Sequence, residues 1–320
     1  MKNVLTIMAL GILALSACTK ENTTPTEETK PEQIRITTGF DINRLTKSAI
    51  TDGIFPTTRD MFVAAYHSSS SQVHFPQARF SYSSGAWVAD KSWPLSGALD
   101  FLAYSPGTAS LSNVVWGTPD VTSSIQFTMG DNSSLQEDIL VGCAPSQTTR
   151  NNVVIDFKHP QAYLTFTGKS SPAYNATTNR GITINSITLK SAKYSGTVLS
   201  TRNAGNLSFF WSSLGSAKTL AVPGLSSTNL GTSASVLGKG ILLPEQSEVG
   251  FNINYTLHNG KDASGNAVNT TLNYDYTPSS PCTWESGKKY TYGIDISLNG
   301  VGVTPSVASW TDGGNKEVKL

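Results

Sequence analysis

The residues of this chain that could carry chemistry are few, and their spacing argues against most of it. His67, His74, His159 and His258 fall in no metal-binding pattern of the His-Glu-x-x-His kind. His159 ends an alternating apolar run and precedes Pro160, where a structural hydrogen-bonding role fits better than catalysis. His67 and His74 flank the serine-rich stretch Ser68 to Ser71 and read as solvent exposed. The members of a Ser-His-Asp triad need not be neighbours in sequence, but no Gly-x-Ser-x-Gly elbow supports one. A phosphate-cradling loop needs a glycine about five residues ahead of its Gly-Lys pair. Tyr163, Ser233 and Cys282 hold that place before Gly168-Lys169, Gly238-Lys239 and Gly287-Lys288, which read instead as loop or turn residues. No cofactor, metal site or catalytic residue is expected, and the chain reads as a non-enzyme. Charged residues are 14% of the sequence and the net charge is +1, so no basic surface is available for nucleic acid.

The N-terminus carries the clearest chemical signal. Lys2, the apolar run Val4 to Leu15 and the small residues Ser16 and Ala17 have the form of a secretory signal over 1–17. The run is too short to span a bilayer comfortably. The tetrad Leu15-Ser16-Ala17-Cys18 resembles a bacterial lipobox, in which Cys18 becomes the lipidated first residue. The competing readings are an ordinary signal with a chance cysteine, or a buried N-terminal helix. Each acyl CH₂ buried in a membrane adds about 0.8 kcal/mol of affinity, and several chains together anchor firmly. Thr19, rather than Asp, follows the cysteine, which favours the outer membrane. Residues 18–32 then offer only Thr, Glu, Lys, Asn and Pro beyond the cysteine, a composition that reads as a tether. An exported chain permits a disulfide between Cys143 and Cys282, but two separate buried thiols are the expected state, and neither belongs to a Cys-x-x-Cys pair.

The elements that must position these residues read as strands throughout. Gln33 to Phe40 alternates, with Ile34, Ile36 and Thr38 on one side. Met61 to Tyr66 is a compact apolar run, and Phe80 to Val88 reads as a hairpin turning at Ser83-Ser84-Gly85. Leu99 to Tyr104, Ile125 to Met129 and Ile139 to Val141 complete a first series. A second begins at Val153 and continues through Tyr163 to Phe166, Ile182 to Leu189, Gly240 to Leu243, Phe251 to Leu257, Asn269 to Tyr276 and Tyr290 to Leu298. Ser170 to Arg180 and His258 to Asn266 read as loops. Short period-two runs bounded by Gly, Pro, Ser and Asn argue for sheets packed on one face. The 320 residues suit two domains, with about seven strands each, the form of an all-β protein built from two Ig-like β-sandwiches. The boundary is placed in the polar stretch Pro145 to Asn152, giving domains over 33–147 and 148–320.

Several segments together resemble the fimbrillin-like family, the type V pilus proteins of Bacteroidales. They are the lipobox and tether, Leu99 to Pro106, Asp138 to Gly142, Val153 to Phe157 with His159, Ile241 to Gln246, and Trp284 to Tyr292, closing with Val307 to Trp310. Their order spans nearly the whole mature chain. The resemblance implies two transthyretin-like β-sandwiches and assembly by strand exchange after proteolysis behind an arginine. The removable strand would be Gln33 to Phe40 and the candidate cut lies between Arg44 and Leu45. Arg59 is the second candidate, Arg35 lies inside the strand, and an ordinary solvated cation is the alternative for Arg44. Val301 to Val307 and Glu317 to Leu320 are the candidate C-terminal strands.

Two classes of function follow as expectations. The first is a structural or adhesive pilus component, tip or accessory, whose partners are other pilus subunits, the outer membrane through its lipid, and a host or bacterial surface ligand. The second is an outer-membrane surface lipoprotein that binds glycan for nutrient capture. The six tryptophans are expected mostly in the core. Trp116 and the run Phe209-Phe210-Trp211 lie beside loop-like segments and are the residues that could stack on sugars or meet a partner.

Overall fold

In the computed structural model the described residues are 31–38, 55–70, 72–105, 111–115, 123–128, 137–148, 152–203, 206–297, 300–309 and 318–319. The chain divides into two compact units, Met1–Pro31 and Glu32–Leu320, and every described strand belongs to the second. Among the described residues all regular structure is β.

The first nine strands are β1 (Gln33–Thr38), β2 (Met61–His67), β3 (Val73–Ser83), β4 (Ala86–Ser92), β5 (Leu99–Ser105), β6 (Leu111–Val115), β7 (Ser123–Thr128), β8 (Leu140–Gln147) and β9 (Val153–Lys158). Seven of them close into a barrel in the order β1-β4-β3-β2-β5-β8-β9, with β9 returning to β1. The β3–β4 hairpin turns on Ser84 and Gly85, both at positive φ (49° and 85°), the backbone that matches a two-residue hairpin to the twist of its strands. Along β9, Val153, Ile155 and Phe157 are buried while Val154, Asp156 and Lys158 are exposed, so the alternation in sequence becomes an inner and an outer face. These three residues join Ile34, Ile36, Met61, Phe80, Trp87 and others in the barrel core. The sequence assigns Val153 to Phe157 to the second half of the chain. Its pairing with β1 and β8 makes it part of the first sheet system instead.

The remaining strands are β10 (Ala162–Ser171), β11 (Arg180–Ala192), β12 (Ser195–Asn203), β13 (Asn206–Ser212), β14 (Lys218–Ala221), β15 (Thr228–Asn229), β16 (Ser235–Val236), β17 (Ile241–Leu243), β18 (Gln246–Ser247), β19 (Phe251–Lys261), β20 (Ala267–Tyr276), β21 (Thr283–Trp284), β22 (Lys288–Ser297), β23 (Gly300–Ser309) and β24 (Val318–Lys319). One sheet runs β16-β10-β22-β23-β24, with β17 also on β10. A second runs β14-β11-β19-β20, with β15 also on β11. Their inner faces meet through Phe166, Phe251 and Tyr292, with Phe166–Phe251 and Phe251–Tyr292 ring centroids 5.2 and 5.3 Å apart. This is a sandwich around a second core.

The two cores share a wall. Leu140 and Ala144 of β8 face the barrel core, whereas Val141 and Cys143 face the second. On β5, Phe101 and Ala103 look one way and Tyr104 the other. A strand apolar on both sides reads as a continuous run rather than an alternating one, which is why Ile139 to Val141 shows no period. The join is reinforced by a further sheet, β13-β12-β7-β6, in which the β6–β7 hairpin from the first half of the chain pairs with β12 from the second, Ser195↔Thr128 through Ser200↔Ser123.

Candidate functional site

β1 is the strand with the most unusual place in the barrel. It enters directly from residues 18–32 and lies between β4, antiparallel, and β9, parallel. Arg35 and Ile36 lie opposite Val88 and Trp87 on one side. On the other, Ile36, Thr37 and Thr38 lie opposite Val153, Val154 and Ile155. Ile34 and Ile36 are completely buried, and Gln33 and Arg35 point outward. The outward residues are also tied down: Gln33 Nε2 donates to Ala89 O at 2.8 Å and Arg35 Nη2 to Ser84 O at 3.0 Å. Trp93 N donates to Glu32 O at 2.9 Å and fixes the strand's start.

The pocket under Ile34 and Ile36 is aromatic. Phe55 meets Trp87 edge-on at 5.0 Å and lies 4.8 Å from Phe157. Trp87 Nε1 donates to Arg59 O at 2.8 Å, which ties the segment 55–60 to β4. Fully burying each isoleucine contributes about 1.5–3 kcal/mol. Without β1, β4 and β9 would face each other across a slot one strand wide, about 9.5 Å, each with a row of unpaired backbone groups. Such a slot accepts an extended strand with two bulky apolar residues at alternate positions, antiparallel to β4 and parallel to β9.

A buried polar joint lies behind the slot. His159 Nδ1 and Asp138 Oδ1 are 2.7 Å apart, both side chains nearly inaccessible. Arg59 Nη1 donates to Asp138 O at 2.9 Å, and Ile139 N donates to Gln161 Oε1 at 2.8 Å. Pro160 O accepts from Trp211 Nε1 at 2.6 Å and from Ser286 Oγ at 2.7 Å. The chain therefore crosses from barrel to sandwich at 159–161 through satisfied hydrogen bonds, and His159 has the structural role its position suggests. Arg59, the second cleavage candidate, is hydrogen-bonded on three sides: its N–H donates to Pro56 O at 2.9 Å, its carbonyl accepts from Trp87, and its guanidinium donates to Asp138 O. Arg35 lies within β1. Cys18, Arg44 and Leu45 lie outside the described residues.

The other sequence candidates fall as follows. No disulfide joins Cys143 and Cys282; Cys143 is buried and Cys282 half-buried. Burial and the Glu248 carboxylate push the Cys282 thiol up to about 11. Sequence reasoning gave no hint of Glu248, which accepts from Tyr292 Oη at 2.8 Å, Tyr276 Oη at 3.3 Å and Cys282 N at 3.2 Å. Burial, then Glu248, raises the Tyr276 hydroxyl to about 12 and displaces Tyr292 upward further. His67 and His74 are half-buried rather than exposed, their rings edge-to-face at 5.1 Å. His258 sits in β19, not in a loop, and Gly168-Lys169 lies within β10, not in a turn. Trp87, Trp93, Trp211 and Trp284 are buried. Trp116 and Trp310 lie outside the described residues, and Phe210 is 65% exposed beside buried Trp211. Among the described residues no group of three His, Cys, Asp or Glu could hold a metal.

A family model described as fimbrillin-like matches residues 48–310. No curated relative matches the sequence. Among solved structures, a fimbrial protein from Bacteroides vulgatus superposes with a TM-score of 0.62 at 14% identity, covering 88% of this chain and 100% of that one. Two structures assigned to cell adhesion, from Bacteroides uniformis and Bacteroides ovatus, give TM-scores of 0.54 and 0.53 at 16% and 15% identity. They cover 90% and 89% of this chain, and all of each of theirs. At these identities the likeness is one of fold.

Proposed function

The chain belongs to the fimbrillin-like family, and from that premise we propose that it is a tip or accessory component of a type V-like pilus, assembled by strand exchange at the β1 slot. It is a fimbrial, adhesion-type protein of the outer membrane and cell surface. In the proposed cycle Cys18 anchors the exported chain and a protease cuts between Arg44 and Leu45. The segment ahead of the cut, carrying β1, leaves the barrel, and a strand of a neighbouring subunit takes its place. One observation carries this reading: the strand between β4 and β9 is supplied by the N-terminal segment, and it buries two apolar side chains, Ile34 and Ile36, at alternate positions, as an incoming strand would.

The test compares the full chain with one beginning at Leu45. The truncated chain should associate with itself or with other pilus subunits. An excess of synthetic peptide spanning Glu32 to Thr38 should suppress that association by refilling the slot. N-terminal sequencing of protein taken from the cell surface should return Leu45. A truncated chain that stays folded and associates no further than the full chain does, indifferent to the peptide, would refute strand exchange.

A further inference from the structure

The second sheet of the sandwich carries an edge that nothing above uses. β20 pairs with β19 and with no other described strand. Ala267 to Asn273 and Asp275 are exposed, and Tyr274 and Tyr276 are half-buried. Val268 and Leu272, on the inward face, are 42% and 37% exposed. Tyr255 and Leu257 behind them on β19 are also only half-covered. Edge strands are ordinarily guarded by proline, lysine or a bulge. β20 contains no proline and no cation, and its register with β19 is unbroken from Phe251↔Tyr276 to His258↔Asn269. Its single charge is Asp275.

The outward side chains of β20 end hydrogen-bonded rows that cross the sheet. Asn185 Nδ2 donates to Asn254 Oδ1 at 2.8 Å, and Asn254 Nδ2 donates to Asn273 Oδ1 at 2.9 Å. The amide nitrogen of Asn273 is thereby turned to the open edge. Asn269 Oδ1 accepts from His258 Nδ1 at 2.8 Å and Asn179 Nδ2 at 3.0 Å, which turns its nitrogen outward too. Asp275 Oδ1 receives Asn252 Nδ2 at 2.9 Å and Lys190 Nζ at 3.1 Å, leaving Oδ2 unused. The edge therefore presents a donor at Asn269, a hydroxyl at Thr271, a donor at Asn273 and an acceptor at Asp275.

We propose that this edge pairs with β20 of a second copy of the chain, antiparallel, about a two-fold axis at Leu272. In that register Asn269 of each copy lies opposite Asp275 of the other, and Thr271 opposite Asn273. Every free donor meets an acceptor, twice by symmetry. On the inner face Leu272 meets Leu272, and Val268 meets Tyr276. Directly opposite Cβ atoms stand about 4.5–5.5 Å apart, within reach of these side-chain bonds. Moving the axis to Thr271 would set Asn269 against Asn273, donor to donor. The alternation and polarity of β20 thus select one register, and the interface is self-complementary as a two-fold contact must be. It leaves β1 and its slot untouched, so it holds whether or not strand exchange occurs.

Sedimentation of the full chain over micromolar to millimolar concentrations should show a monomer–dimer equilibrium. Asn269→Asp keeps the acceptor that His258 and Asn179 use but sets carboxylate against carboxylate. It should weaken the dimer at least about tenfold with an unchanged melting temperature. Adding Asp275→Asn exchanges donor and acceptor and should restore dimerisation. Leu272→Cys should form an intermolecular disulfide on oxidation, because opposed Cα atoms fall within disulfide range, whereas Thr271→Cys should not. A chain monomeric throughout, a dimer indifferent to Asn269→Asp, or cross-linking at Thr271→Cys in preference to Leu272→Cys would overturn the proposal.

Discussion

Truncating Ile36 to alanine should open the β1 slot without any proteolysis. Ile36 is fully buried and lies opposite both Trp87 and Val153, so it touches both walls. Its replacement by alanine costs about 2–5 kcal/mol, transfer and cavity terms together. Whatever fraction of molecules has β1 displaced at a given moment, that cost multiplies it by about 30 to 4,000, at roughly 1.4 kcal/mol per factor of ten. β1 is held by three register pairs to each of two strands, while β3, β2 and β5 keep their ladders without it. The effect should therefore be local. Native-state hydrogen exchange is the assay. Amides of β4 and β9 should exchange faster by that factor, while those of β2 and β5 change little. Thr37→Ala, at a half-buried outward position, is the control and should shift exchange by less than about threefold. Uniform acceleration across the barrel would show that β1 leaves only when everything unfolds. No acceleration would show that Ile36 is not what holds it.

Three further outcomes are expected. Gly142→Ala should destabilise the barrel by about 1–3 kcal/mol in urea titration, because a Cβ there would lie 2.6 Å from Ile155 Cγ2 and 2.7 Å from Asp156 O. Asp138→Ala strips a hydrogen-bond partner from buried His159 and should cost about 1–3 kcal/mol, read as a fall in the urea midpoint with an unchanged slope. Alkali should destabilise the sandwich. Tyr276 and Tyr290, both raised first by burial, ionise at about 12 in the fold against 10.0 in the free side chain. The unfolded chain thus loses these protons first, and stability should fall as pH climbs from about 10 to about 12. Tyrosinate absorbance followed alongside circular dichroism checks this; ionisation of these tyrosines near 10 in the intact fold would contradict it.

Strands with one buried face were legible residue by residue. Val153 to Lys158 and Tyr290 to Ser297 alternate in the sequence as they do in burial. Strands of another composition were not. β12 is rich in Ser and Thr, and its pairing with β7 is a contact between distant halves that no local pattern announces. His258 to Asn266 carries the turn residues Asn259, Gly260, Asp262 and Gly265, yet β19 runs on to Lys261 across a register shift, with Gly260 at φ +103°. Of the site, Ile34 and Ile36 were legible as one face of a strand, but its two neighbours were not. A parallel partner more than a hundred positions away leaves no periodic trace in either segment. Glu248 sits in a short polar turn and gains its meaning solely from the three residues that converge on it.

The β6–β7 hairpin that reaches from one half of the chain to the other has a mechanical consequence. The covalent crossing at 159–161 is a single thread, about which two rigid bodies would swing if it were their sole link. The ladder between β7 and β12 is a further link in parallel with it, beside the wall that β5 and β8 share. When the ends of the molecule are pulled apart, load divides between a backbone and a sheet. Bending the barrel against the sandwich requires shearing that ladder, so the join resists bending as well as stretch.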